Sequence, residues 1–267
     1  MQWFDDEIKL GLADGVTEKE NLPFLLKPTY PVKKAIILIH GFSSSPREML
    51  TLGREIVKHN FTVYGVRLPG HGTSPQDLAG RKSEEWLAAC KRGYLGLVQS
   101  GFSVSAGGLS TGALLTMKLA LRYPLEKQIL LAPFLKLQHP LAAAAQMLSV
   151  FVPYQKKELQ PDERPYYYSL RPLKGIAQIN RLRWQLAREL DKITIPSLVL
   201  ASKGDKTIAE GTAEDLYDRL GSQKKTFHLY GKTVPHVLTS EQNPELQDVL
   251  KRCCDFLAFV KESGSPT

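Results

Sequence analysis

Gly108-Leu109-Ser110-Thr111-Gly112 is the stretch on which the reading of this chain turns. A G-x-S-x-G pentapeptide suits a sharp turn between a strand and a helix, with the serine at its apex. Glycines flank the serine where backbone and helix pack too closely for side chains. Three fixed positions held by common residues recur by chance in roughly one chain of this length in ten, so the surroundings must add weight. They do. Residues 102–106 read as a short buried strand, and residues 113–121 as a buried helix ending near Tyr123-Pro124. Strand, turn and helix stand in the order that presents a serine hydroxyl at the edge of a sheet. A plain Gly/Ser turn between two core elements is the competing reading.

Outward from this turn, short apolar runs alternate with helical patterns. Candidate strands are 35–39, 61–66, 102–106, 128–132, 197–201 and 226–230. They are rich in Ile, Val, Leu and Phe rather than strictly alternating, as strands covered on both faces are. Ser45-Pro46-Arg47-Glu48 reads as a capping box with proline at the first helical position, opening a helix that runs to about His59. Ser83 is expected to cap a second helix, carrying Trp86, Leu87, Cys90 and Tyr94. Asn243-Pro244 opens the last, with Leu246, Val249, Leu250, Cys253, Leu257 and Val260 on one face. The alternation predicts an α/β fold: a mainly parallel sheet with helices on both faces, in a single domain over residues 1–267. One segment breaks the pattern. Between Phe134 and Asp191 no clear strand appears. An apolar, helix-like stretch at 141–152 is followed there by Pro153, a charged turn and the cluster Tyr166-Tyr167-Tyr168. This reads as an insertion over the sheet, at about 135–190.

Composition excludes several classes. Apolar residues at 43% and charged residues at 23% are ordinary for a globular chain, which argues against disorder or a fibrous fold. No apolar run approaches the roughly 18 residues needed to span a bilayer. The first twenty residues carry Asp5, Asp6, Glu7, Asp14, Glu18 and Glu20 and show no apolar signal-peptide core. Three cysteines, two of them adjacent at Cys253 and Cys254, make a poor disulfide framework, so a reducing, cytoplasmic compartment is expected. No C-x-x-C or H-E-x-x-H spacing calls for a metal, and no nucleotide or redox cofactor is implied. The net charge of +8 is scattered among acids, without a basic run interleaved with aromatics. Solvated surface charge is therefore expected, not a nucleic-acid partner.

A serine hydroxyl is a poor nucleophile unless a base takes its proton, and the base needs a carboxylate to orient it. In a sheet of this kind the order along the chain is Ser, then Asp or Glu, then His. Downstream of Ser110 stand His139, His228 and His236. His139 falls in the insertion, and His228 lies inside a strand, where a packed role is expected. His236 sits in a loop after the last strand, beyond the carboxyl end of the sheet where ligands gather in open α/β folds. Asp205 occupies the loop after strand 197–201 and is the candidate acid; a turn residue or helix cap is its competing reading. Asp215 and Asp218 read as solvent-facing. An oxyanion hole needs two backbone N–H donors. Thr111 supplies one, as the residue after the serine. Phe42 is the candidate for the second, since Ile36-Ile37-Leu38-Ile39-His40-Gly41-Phe42 is a strand ending in His-Gly. His40 and His71 read as loop props.

Taken together, His40-Gly41-Phe42, Leu68-Pro69-Gly70-His71-Gly72, the pentapeptide, Gly204-Asp205 and Pro235-His236-Val237-Leu238-Thr239 resemble the α/β-hydrolase superfamily. Within it the chain is similar to bacterial carboxylesterases and monoacylglycerol lipases, from about Lys33 to Phe259. The resemblance implies Ser110 as nucleophile, Asp205 as acid, His236 as base, and Phe42 and Thr111 as oxyanion donors. It also implies that the insertion is a small cap over the active site. Two departures are visible: the turn begins Gly107-Gly108 and continues Gly112-Ala113, where relatives often have a second glycine. The stretch before Leu22 has no counterpart in the resemblance. The implied substrate is a small-molecule ester with an apolar acyl group, monoacylglycerol-like, with transient contact to a lipid interface. Met147 and Phe151, in the apolar stretch, are the candidate substrate-binding residues of the cap. Acyl transfer or thioester hydrolysis by the same residues remains open. So does a non-catalytic binding protein of this fold, although such proteins usually lack one of the three groups.

Overall fold

Strands made of Ile, Val and Leu on both faces need cover on both faces, and the chain provides it. The computed structural model describes residues 1–30, 32–138, 145–161 and 163–258. Its strands are β1 Phe24–Leu26, β2 Lys34–Ile39, β3 Thr62–Val66, β4 Ser103–Leu109, β5 Gln128–Leu131, β6 Tyr154–Lys156, β7 Leu170–Pro172, β8 Ser197–Ser202 and β9 Lys225–Tyr230. Seven form one sheet in the order β1-β3-β2-β4-β5-β8-β9, parallel throughout except for β1 at one edge. The parallel sheet expected from the sequence is therefore present, with all six expected strands in it. β4 runs on to Leu109, so the central strand enters the serine turn directly.

Alternate side chains of β2 feed two apolar layers. Ile37 and Ile39 join Tyr64, Trp86, Leu97 and Leu114 on one face. Ile36 and Leu38 join Met49, Leu52, Ile56 and Val249 on the other. Helices α1 Gln2–Ala13, α4 Ser83–Gln99, α5 Thr111–Ala120, α7 Leu173–Leu186 and α8 Thr212–Arg219 cover the first face, and α2 Leu50–Lys58 and α9 Leu246–Ala258 the second. Short helices α3 Pro75–Gly80 and α6 Ala145–Leu148 complete the set among the described residues. Cys90, Cys253 and Cys254 are free and buried, so the pair on α9 serves as core filler.

The structure differs from the sequence reading in four places. α1 occupies the N-terminal stretch. Its inward stripe contains Glu7, whose charge hides the periodicity, and Glu7 is neutralised by Arg92 of α4 at 2.5 Å. The segment between β5 and β8 does contain strands: β6 and β7 pair as an antiparallel hairpin. They are three residues long and polar, too short for a periodic signal. Of the helix-like stretch at 141–152, residues 141–144 lie outside the described residues, and α6 is a single turn. Helix starts also shift. Pro46–Met49 is a 3₁₀ turn whose Ser45 makes no side-chain cap, and Ser83 is the first residue of α4 while Lys82 takes the cap position.

Candidate active site

The parallel register places the pieces of the site at one end of the sheet. Ile39 of β2 stands beside Gly108 of β4, so the His40-Gly41-Phe42 loop leaves the sheet next to Ser110. Ser202 of β8 stands beside Tyr230 of β9, so the loops carrying Asp205 and His236 emerge together.

Ser110 has φ 57° and ψ −115°, a strained conformation for a residue with a side chain, and it forms the N-terminal boundary of α5. Strain of this kind costs on the order of 1–3 kcal/mol and is held only where the surroundings over-determine it. They do here. A Cβ at Gly108 would collide with the carbonyl of Gly112, and a Cβ at Gly112 with the carbonyl oxygens of Ile39 and His40. The two glycines thus let strand, helix and neighbouring loop close on the serine.

His236 Nε2 lies 2.9 Å from Ser110 Oγ, and its Nδ1 lies 2.5 Å from Asp205 Oδ2. Asp205 is held in turn by the N–H groups of Thr207 and Ile208, which donate to Oδ1 at 2.7 and 3.1 Å. Gly204 allows this loop to touch the His236 loop, since a Cβ there would meet the carbonyls of Lys232 and Val234. Ser202 Oγ donates to the Val234 carbonyl at 2.5 Å and accepts from Gly204 N–H at 2.9 Å, tying the two loops. A carboxylate on Nδ1 keeps the proton there and leaves Nε2 free to accept, so the arrangement can take a proton from Ser110 Oγ.

The candidate oxyanion donors occupy the facing side. Thr111 N–H opens α5, where the first turn has no intrahelical acceptor. Phe42 N–H has no acceptor among the described residues. His40 aims it. Leu68 N–H donates to His40 Nε2 at 3.3 Å, so the ring proton sits on Nδ1 and is donated to the Gly41 carbonyl at 2.8 Å. Across a planar trans peptide the Phe42 N–H points opposite to that carbonyl. His40 is thus a loop prop, as its sequence position suggests. His71 packs edge-on against it with ring centroids 4.9 Å apart.

Burial drives the His40 imidazole down to about 4 and that of His71 well below its usual range. A neutral buried imidazole makes stability depend on pH. Between about 6.5 and about 4 the unfolded chain binds a proton that folded His40 refuses, so stability falls as pH falls through that window. The loss from His40 alone is expected to reach about 3 kcal/mol by pH 4. Urea unfolding at pH 7, 5.5 and 4 measures it. A flat profile, or a slope undiminished in His40→Gln, contradicts this assignment.

Other residues take no part in these hydrogen bonds. His228 is half-buried on β9 against Tyr230, with ring centroids 4.4 Å apart. His139 lies outside the described residues. Met147 and Phe151 are 75% and 83% exposed. Among the described residues no group of three His, Cys, Asp or Glu side chains is placed to hold a metal ion. Sequence reasoning missed Glu48. Read as a capping glutamate, it is instead buried and accepts Gly41 N–H at 2.6 Å.

A family model described as Hydrolase_4, serine aminopeptidase, S33, matches residues 30–243, which contain the whole arrangement. The chain belongs to this family. It is an α/β-hydrolase. It is 28% identical over 235 residues to the thermostable monoacylglycerol lipase of Bacillus sp. (strain H-257), covering 86% of this chain and 91% of that protein. With the carboxylesterase of Bacillus subtilis (strain 168) it shares 25% identity over 223 residues, 81% of this chain and 90% of that one. Among solved structures, one from a study of LipS and LipT, two metagenome-derived lipolytic enzymes, superposes with a TM-score of 0.79. It is 22% identical and covers 90% of this chain and 98% of its own. No helix of the described residues is long and apolar enough to cross a membrane.

Proposed function

We propose that this α/β-hydrolase cleaves small-molecule carboxylic esters with an apolar acyl group, of the carboxylesterase or monoacylglycerol lipase type. The observation that carries the proposal is the hydrogen-bonded series Ser110, His236, Asp205 beside the Phe42 and Thr111 N–H groups, which have no acceptor among the described residues. Ser110 Oγ attacks the ester carbonyl carbon while its proton passes to His236 Nε2. The carbonyl oxygen becomes an oxyanion and is received by the N–H groups of Phe42 and Thr111. The C–O bond then breaks, and His236 gives its proton to the departing alkoxide. Water then gives a proton to the same imidazole and attacks the acyl carbon; the bond to Ser110 Oγ breaks, His236 returns the proton to that oxygen, and the acid leaves. The curated relatives, named as a monoacylglycerol lipase and a carboxylesterase, support the ester class.

The family's own description names an aminopeptidase, which would have to anchor a substrate ammonium. Besides Asp205, which is bonded to His236, a buried carboxylate stands beside the Gly41 loop: Glu48, which is already engaged by Gly41 N–H and has the cationic Lys157 and Arg171 around it. That local charge disfavours an ammonium. p-Nitrophenyl esters and aminoacyl p-nitroanilides assayed side by side separate the two readings: ester turnover with inert anilides is expected, and the reverse overturns the proposal. The buried free cysteines support a reducing, cytoplasmic setting.

We read residues 135–190 as the cap of this one domain, with Met147 and Phe151 on an apolar surface that meets the acyl chain or its lipid source. Val150 and Val152 share that exposure. Each buried acyl methylene contributes roughly 0.8 kcal/mol, so kcat/KM is expected to rise a few-fold per methylene up to the length of the pocket. Because Met147 and Phe151 are exposed, an aspartate at either position costs little packing. Met147→Asp and Phe151→Asp should therefore depress turnover of long esters far more than of acetates. Equal losses on both substrates contradict a role for these side chains in acyl binding.

A further inference from the structure

Glu48 is a buried carboxylate beside the candidate oxyanion loop, and the proposed reaction gives it no task. It sits in the 3₁₀ turn Pro46–Met49, which folds the chain back under the loop that precedes it. Its Oε2 accepts the Gly41 N–H at 2.6 Å, in a buried setting. Gly41 leaves the approach open: a Cβ there would stand 3.2 Å from the same oxygen. The bond acts on the peptide immediately before the one His40 controls. His40 fixes the Gly41 carbonyl, and therefore the plane that carries Phe42 N–H. Glu48 fixes the N–H at the other end of the same residue. With both planes flanking Gly41 held, the direction of Phe42 N–H has no remaining freedom.

The cap reaches the same carboxylate from outside. Tyr167 and Ser44 lie against it, the charges of Lys157 and Arg171 act on it, and Tyr168 N–H donates to the Ser43 carbonyl at 2.9 Å. Burial raises the Glu48 carboxyl, and the Gly41 amide opposes that rise. Burying a carboxylate is costly, and an apolar side chain of similar size commonly gives equal or greater stability. Stability alone therefore does not explain a glutamate here.

We propose that Glu48 is a positioning residue: its carboxylate clamps the Gly41 amide and so aims the Phe42 N–H at the oxyanion of the tetrahedral intermediate. This rests on the reading of Ser110 as nucleophile and Phe42 as oxyanion donor. The clamp acts on the transition state more than on the bound ester, so its loss lowers kcat and leaves KM nearly unchanged.

Three variants of the full chain test it with a p-nitrophenyl ester and with a trifluoromethyl ketone, whose serine adduct places an oxyanion in the hole. Glu48→Met keeps the size and removes the acceptor. It should lose about 10- to 100-fold in kcat, below the cost of deleting an oxyanion donor outright, with KM changed less than about three-fold. Ketone affinity should fall in parallel while Tm does not fall. Glu48→Gln, which keeps an acceptor at the same reach, should restore kcat to within about three-fold of wild type. Glu48→Asp, shorter by one methylene, should lose kcat as Met does, and it carries the test if the Met variant does not fold. Wild-type kcat and ketone affinity in the Met or Asp variant overturn the proposal, as does a loss that Gln fails to rescue or one confined to KM. A wild-type protein that turns over no ester fails at the earlier step, and the clamp proposal falls with it.

Discussion

Ser110→Ala is expected to bring ester turnover down by roughly 10⁶-fold while leaving the fold intact. The size of the effect follows from how the three groups depend on one another. Among the described residues His236 Nε2 bonds only to Ser110 Oγ, and in the proposed mechanism Asp205 acts through His236, so removing the hydroxyl would leave base and carboxylate with nothing to activate. What remains is binding and the two amides of the proposed oxyanion hole. Stability should move the other way or not at all. Ser110 is 9% exposed and carries φ 57°, and its backbone strain is set by the packing of Gly108 and Gly112 rather than by its hydroxyl. Thermal melting together with kcat on one ester makes the check. A Ser110→Ala protein that melts normally and still turns over within a hundred-fold of wild type contradicts the nucleophile assignment.

The second large effect is expected at Asp205. Asp205→Asn should lower kcat by roughly 10⁴-fold with KM little changed, because the amide can present an N–H to Nδ1 and so favour the tautomer with its proton on Nε2. That ring can no longer accept from Ser110. The other carboxylate oxygen is committed to Thr207 and Ile208 N–H, an Asx-type turn that an Asn carbonyl can reproduce, so the loop should keep its shape. The loss is therefore chemical rather than structural. Near-normal turnover in Asp205→Asn would point to another acid as the partner of His236.

Much of this arrangement is legible in the sequence, for identifiable reasons. β2 and β8 are covered on both faces, so they appear as apolar runs, Ala35 to Ile39 and Leu198 to Ala201, each followed by a loop that carries glycine. The turn at Ser110 advertises itself because only glycine tolerates the approach of Ile39 and Gly112. His236 and Asp205 are found by chain order and by standing after strands. What escapes notice depends on partners distant in sequence. Glu7 reads as a surface acid until Arg92 is known to face it. Glu48 fits a local capping pattern, and that pattern loses to a Gly41 amide seven residues back that has stronger need of an acceptor. β6 and β7 hold each other as a polar hairpin, which no apolar periodicity announces. The tyrosines at 166–168 stand out as a cluster, yet only the fold gives each a place. Tyr166 lies over the Arg47 guanidinium at 5.4 Å, Tyr167 against Glu48, and Tyr168 hydroxyl donates to the Gly70 carbonyl at 3.0 Å.

Covalent capture distinguishes Ser110 as the nucleophile of an acyl-enzyme mechanism from every other serine of the chain. Wild-type protein and Ser110→Ala are treated with a fluorophosphonate and analysed by intact mass and peptide mapping. One adduct per wild-type chain is expected, on the peptide carrying Ser110, together with loss of ester turnover, and no adduct on Ser110→Ala. Stoichiometric labelling of Ser110→Ala, or full ester turnover by wild-type protein already labelled at Ser110, would contradict that role of Ser110.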